Sequence, residues 1–271
     1  MPLPGSGQIT INQIHVEAGG GSGSQAAIND ADIRDMIAKG SGAQNAFNEY
    51  YGVSATAPVA TYKGRTLTTG NGFPTGNVTL SSGSKLVVVT CQLAGGGNTY
   101  VNVGGVSATL AAKMDTAPTG GVWAAGLTSA VYYLVTSASG STQITGNGGS
   151  GRSVTHVWEI TGYNSSTPTA TATAQNTDNT SFSKTISLST QYNGVTIGSG
   201  ITEDTNPAAS VTVSNSDTIQ QVDLESATNH FCWDDEGTAS GTTNYNCVQN
   251  NPASNIVSGS AIMQLSAAHW K

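Results

Sequence analysis

Charge is scarce in these 271 residues: Asp, Glu, Lys and Arg together make up 9% of the chain, and aromatic residues 6%. A helical enzyme of this length normally carries far more Lys, Glu, Arg and Leu, so a mainly helical catalytic fold is set aside. The few bases form no stripe. Five acids and two bases lie in residues 1–52, eleven and seven follow, and the net charge is −7. With nothing to neutralise a phosphate backbone, nucleic acid is not an expected partner. No apolar run approaches the roughly 18–20 residues that span a bilayer, so no membrane insertion is expected. "MPLPGSGQIT" lacks the charged and apolar regions of a secretory leader, which reads as a soluble protein made in the cytoplasm. Cysteine is nearly absent as well, with three in all. Cys91, in "KLVVVTCQL", reads as a buried strand thiol. Cys232 and Cys247 flank "CWDDEGTASGTTNYNC" and form a candidate disulfide if that polar stretch folds back as a hairpin. No C-x-x-C or Cys/His cluster is present, so neither a metal nor another cofactor is expected.

What is abundant is Gly, with 34 residues, together with Ser, Thr and Asn, and 37% of the chain is apolar. The apolar residues cluster in alternating runs able to form a core, which excludes a disordered chain. Residues 1–52 place an apolar residue before Asn three times: Ile11-Asn12, Ile28-Asn29 and Phe47-Asn48. Asn caps helices because its side-chain oxygen accepts from the free N–H groups of the first turn. An Asn29 cap puts Asp30 and Asp32 in the first turn, where the helix dipole favours negative charge, and gives Ile28 and Ile33 the spacing of a hydrophobic staple. Ile33, Met36 and Ile37 then form an i, i+3, i+4 stripe that stops at Lys39-Gly40. Ile11 and Val16 have the same staple spacing around Asn12. This segment therefore reads as short capped helices joined by links such as "GGGSGS", each too short to be stable alone. Phe47, Tyr50 and Tyr51, in "FNEYYG", either fill its thin core or pack on a partner.

After Gly52 the period changes to two. "KLVVVTCQLAG", "TYVNVGGVSATLAAKM" with a turn at Gly104-Gly105, "AVYYLVTSASG", "SVTHVWEITGYN", "SFSKTISLST", "GVTIGSGITE", "SVTVSNS" and "SGSAIMQLSAAHW" give about nine strands. Such spacing predicts a mostly β fold, an antiparallel sandwich or jelly roll over 53–271, behind the small helical module of 1–52. Residues 225–254 carry turn formers without strand rhythm and read as a long loop.

Chemistry is thin. None of His15, His156, His230 and His269 stands in a recognisable catalytic motif, and neither G-x-S-x-G nor H-E-x-x-H occurs, so no catalytic residue is assigned and the protein is not read as an enzyme. The acids of "WDDEG" (233–237) and "TED" (202–204) do not match the spacing of a calcium loop. Trp233 and Tyr245, with Asp234 and Asp235 beside them, form a candidate glycan contact, because aromatic faces stack on pyranose rings and carboxylates bond hydroxyl groups.

The stretch "SGQITINQIHVEAGG…INDADIRDMIAKGSGAQNAFNEYYG" resembles a short module of virion structural proteins in tailed, notably marine, bacteriophages, carried here by Asn12, "DIRDMI" and "FNEYYG". The rest resembles β-sandwich domains of phage fibre and decoration proteins through "KLVVVTCQLAGG…VNVGGVSATLAAK", "RSVTHVWEITGYNSSTPT", "NGVTIGSGITED" and "SAAHW". The likeness implies a virion protein whose partners are other tail or capsid proteins, met through residues 1–52. Ile28, Ile33, Met36, Phe47, Tyr50 and Tyr51 would be the docking side chains. A tail fibre or short appendage would be a homo-oligomer, a trimer by preference, in contact with a host surface glycan. A capsid decoration protein and a lectin-like module are the alternatives. No heptad, collagen triplet or β-helix period marks a long shaft.

Overall fold

Runs rich in Val, Thr and Ile become strands because branched side chains suit a pleated, packed surface. The computed structural model describes residues 3–18, 21–30, 33–34, 36–37, 39, 42–51, 57–70, 72–94, 100–115, 126–147, 151–176, 183–191, 193–203, 210–224, 228–238, 241–250 and 263–271. The fold is mostly β and fully antiparallel in its pairing, as the period-two pattern predicts.

The first run of strands is β1 (Val59–Thr68), β2 (Gly76–Leu80), β3 (Lys85–Ala94), β4 (Tyr100–Val103), β5 (Val106–Ser107), β6 (Thr109–Asp115), β7 (Leu127–Thr136), β8 (Gly140–Asn147) and β9 (Ser153–Thr161). They form a five-stranded sheet ordered β1-β9-β3-β7-β6 and a four-stranded sheet ordered β2-β8-β4-β5. The expected Gly104-Gly105 turn joins β4 to β5, both residues having positive φ (57° and 82°), which glycine adopts without penalty.

The second run is β10 (Ala170–Asn176), β11 (Ser183–Thr190), β12 (Val195–Glu203), β13 (Ser210–Val213), β14 (Thr218–Leu224), β15 (Thr228–Glu236), β16 (Gly241–Asn250) and β17 (Met263–Trp270). Its sheets are ordered β10-β17-β12-β15-β14 and β11-β16-β13. Apart from the two-residue β5, the two runs have one topology. Numbered one to eight within each unit, the larger sheet reads 1-8-3-6-5 and the smaller 2-7-4. The single sandwich expected over 53–271 is thus a tandem pair of jelly-roll-like sandwiches.

The two units pack through their five-stranded sheets, giving four layers. One core lies between the sheets of the first unit (Val87, Val89, Cys91, Tyr132, Ile144). Another lies between those of the second (Ile186, Phe231, Trp233, Tyr245, Leu265). A third joins the units, with Leu86, Val88, Trp158 and Ile160 facing Val195, Ile197, Cys232 and Trp270. Alternate residues of β3 therefore enter different cores, which is why "KLVVVTCQLA" is apolar almost throughout and buried at every position.

The expected loop at 225–254 is overturned: most of it is strand, namely β15 and β16. Strand rhythm is hidden in β15 because the strand is covered on both faces. Phe231 and Trp233 enter the core of the second unit, while His230 and Cys232 turn toward the first.

Candidate functional site

In the amino-terminal segment, "TINQ" builds the first helix. Thr10 caps α1 (Ile11–Glu17): its Oγ1 accepts from the Gln13 N–H (3.2 Å), and Gln13 Oε1 accepts from the Thr10 N–H (2.8 Å). This capping box displaces the expected Asn12 cap and moves the staple upstream to Ile9 and Ile14, both buried in the module's core, leaving Val16 exposed. Asn12 does other work, accepting the Gly23 N–H (2.9 Å) and so holding the glycine-rich link against α1.

The second segment makes a helical turn at Ile33–Arg34, with Arg34 N–H donating to the Asp30 carbonyl (3.0 Å) and Lys39 N–H to the Arg34 carbonyl (3.1 Å). Asp30 Oδ2 accepts from the Ala27 N–H (2.8 Å), so the carboxylate reaches back past Asn29. Asp32 and Gly40 lie outside the described residues. The expected stripe is present: Ile33 and Met36 are buried and Ile37 is half-buried.

"FNEY" forms a single 3-10 turn, Phe47–Tyr50, whose Glu49 Oε2 accepts the Ala46 N–H (2.7 Å). Lys39 pairs with Glu49, and that hydrogen bond holds the Glu49 carboxyl below its ordinary pKa. Asn45 Nδ2 donates to the Ile28 carbonyl (2.8 Å), and the Tyr51 hydroxyl donates to the Gly7 carbonyl. Gly52 lies outside the described residues.

The six expected docking residues therefore separate. Tyr50, Ile33 and Met36 are core, and Ile28 and Tyr51 pack half-buried against it. Phe47 alone is well exposed, at 43%, a value shared by Val16. Near Val16, a cleft of about 280 Å³ is lined by Leu3, Pro4 and Glu17.

A larger cleft, about 640 Å³, opens between this segment and the second sandwich. Ile37, Glu49 and Tyr51 line one side, and Tyr163, Asn164 and Gln191 the other. The β body holds its side in place through main-chain N–H groups: Asn164 N–H donates to the Lys271 carbonyl (2.6 Å), and Gln191 N–H to the His269 side chain at Nε2 (2.9 Å). Sequence reasoning missed this cleft, since its walls come from positions more than a hundred residues apart.

The candidate glycan contact at Trp233, Asp234, Asp235 and Tyr245 is corrected. Trp233 and Tyr245 are both fully buried with ring centroids 5.9 Å apart, so neither ring offers a face to a sugar. Asp235 Oδ2 accepts the Tyr245 hydroxyl (2.7 Å), and Asp234 Oδ1 accepts the Thr218 hydroxyl. Burial pushes the Asp234 carboxyl up to about 6 and raises that of Asp235. Of the "TED" acids, Asp204 lies outside the described residues.

The candidate disulfide is corrected too: all three cysteines are free and buried. Cys232 faces the core shared by the two units and Cys247 the core of the second, so the five-stranded sheet stands between them. Burial pushes each thiol well above its ordinary pKa.

Three histidines are interior. His156 Nδ1 meets the Tyr62 hydroxyl (3.0 Å) and His230 Nε2 the Thr228 hydroxyl (2.9 Å). Burial lowers both pKa values to about 3, and that of His269 to about 4. Since His269 Nε2 accepts the Gln191 N–H, its proton sits on Nδ1, against the Thr196 hydroxyl (3.1 Å). Among the described residues, no group of His, Cys, Asp and Glu is arranged to hold a metal ion. No helix among them is long and apolar enough to cross a membrane. No protein-family model, curated protein or solved structure matches this chain.

Proposed function

We propose that the protein is a structural component of a tailed-bacteriophage virion, a tail fibre or short appendage held to the particle by residues 1–52, with its paired sandwiches turned outward. The observation that carries this reading is the self-contained core of the amino-terminal segment. Leu3, Ile9, Ile14, Ala18, Ile33, Met36 and Tyr50 are its buried side chains, and none comes from the β body. A segment with its own core, exposing Phe47 and, at the rim of a mixed polar and apolar cleft, Val16, suits a plug that seats in another virion protein. The sequence likeness of "DIRDMI" and "FNEYYG" to phage docking modules supports the same reading.

The test is attachment of the full-length chain to virions that lack it. Wild-type protein should cosediment with them, and a Val16→Asp/Phe47→Asp variant should remain soluble and fail to bind. Binding unchanged in the variant overturns the docking role. Gold labelling then places the protein on the tail, as a fibre or appendage, or on the head, as a decoration protein. Light scattering distinguishes a trimer from a monomer in solution.

A further inference from the structure

The cleft between the amino-terminal segment and the second sandwich has walls of a particular chemistry. Tyr51 and Tyr163 are both half-buried and anchored away from the opening. The Tyr51 hydroxyl is committed to the Gly7 carbonyl, and the Tyr163 ring packs against the core that joins the two sandwiches. Each ring is thus held in place while it lines the cleft. Asn164 and Gln191 are held through their main-chain N–H groups, by the Lys271 carbonyl and the His269 imidazole, yet neither carboxamide has a hydrogen-bond partner among the described residues. A carboxamide offers two donors and an acceptor side by side, which matches a pair of adjacent hydroxyls that each donate and accept. The charges present are already committed. Glu49 is paired with Lys39, and Lys271 is buried and engaged within the protein.

We infer that this cleft binds a neutral oligosaccharide. Its volume, about 640 Å³, lies within the range of roughly 300–1,000 Å³ usual for small-ligand sites. The electron-rich ring faces of the tyrosines attract the weakly positive C–H face of a pyranose, and the two carboxamides select among hydroxyl orientations. A purely apolar ligand would leave both carboxamides desolvated and unpaired. An anionic one would meet the Glu49 carboxylate. The inference goes beyond the docking role, which depends on Phe47 and Val16, neither of which lines this cleft.

The full-length protein is tested on an array of neutral, sialylated and sulfated glycans, and the best neutral oligosaccharide is followed by saturation-transfer NMR. Neutral glycans should bind, and Asn164→Ala/Gln191→Ala should weaken binding at least about tenfold with an unchanged melting temperature. Tyr163→Phe, which keeps the ring, should retain it. Absence of neutral-glycan binding, binding confined to charged glycans, or binding untouched by the double substitution overturns the inference. Val16→Asp/Phe47→Asp should keep sugar binding, so failure of this inference and failure of the docking role are read separately.

Discussion

Gly198 and Gly200 in β12 lie directly across the ladder from Trp233 and Phe231. A Cβ on Gly198 would stand 2.0 Å from the Trp233 ring, and one on Gly200 2.1 Å from the Phe231 ring. These glycines are present for space, since both rings lie over the neighbouring backbone. Gly198→Ala should cost about 1–3 kcal/mol in urea unfolding, the usual range for overpacking a core. The loss should be smaller in a Trp233→Leu background, which removes the ring that would clash. Additive losses would show that the glycine is not there for the indole. Asp234 gives a prediction with a definite sign. Its folded pKa, about 6, lies above the ordinary 3.8, so the folded state binds the proton more tightly. That contribution is fully present below 3.8 and is lost as pH rises through 6. Asp234→Asn, which still accepts from Thr218, should therefore stabilise the protein at pH 7 by on the order of 2 kcal/mol. His156, His230 and His269 act in the opposite direction: with folded values of about 3, 3 and 4, their contribution is complete above 6.5 and is lost on acidification. Melting temperatures between pH 4 and 8 should consequently fall toward acid, and more steeply in Asp234→Asn.

Among the elements, β3 and β15 occupy different positions in their sheets but share one circumstance, a covered surface on each face. β3 could be recognised because Val and Leu fill both faces. β15 could not, because "TNHFCWDDE" mixes polar and aromatic residues, and several of its polar side chains find partners within the same sheet: His230 meets Thr228 of its own strand, and Asp234 accepts from Thr218 of the neighbouring β14. The seam between units has a polar centre: Gln92 Nε2 donates to the Ser199 hydroxyl (2.8 Å), and the Ser129 hydroxyl donates to the Ser199 carbonyl (2.9 Å). The same layering decides the thiols. Native protein treated with iodoacetamide should show no alkylated cysteine by mass spectrometry, and three after guanidinium unfolding. A mass deficit of two protons in the unfolded, unreduced chain would instead reveal a Cys232–Cys247 bond. In α1 the misplaced cap was readable from sequence: T-x-x-Q at 10–13 is a complete capping box, and it outweighs the single Asn12 side chain.

At the scale of the whole molecule, the two sandwiches share a core and the amino-terminal segment does not contribute to it. Calorimetry should therefore show one cooperative transition for the paired sandwiches and a separate, lower transition for the segment, whose few buried side chains form a thin core. Hydrogen exchange should be fastest in residues 3–51 and slowest in β3, β9, β12 and β17. A single transition lost uniformly in both parts would contradict the self-contained core. By itself the amino-acid sequence determined the β class, the antiparallel connections, the turn at Gly104-Gly105 and the stripe of Ile33, Met36 and Ile37, because each follows from local periodicity and backbone preference. Only the tertiary structure decided that there are two sandwiches, that Trp233 and Tyr245 are interior, that Cys232 and Cys247 face apart, and that Tyr51 and Tyr163 line one cleft. Those outcomes depend on which face of one sheet covers another, and a strand buried on both faces carries no alternation from which its neighbours can be read.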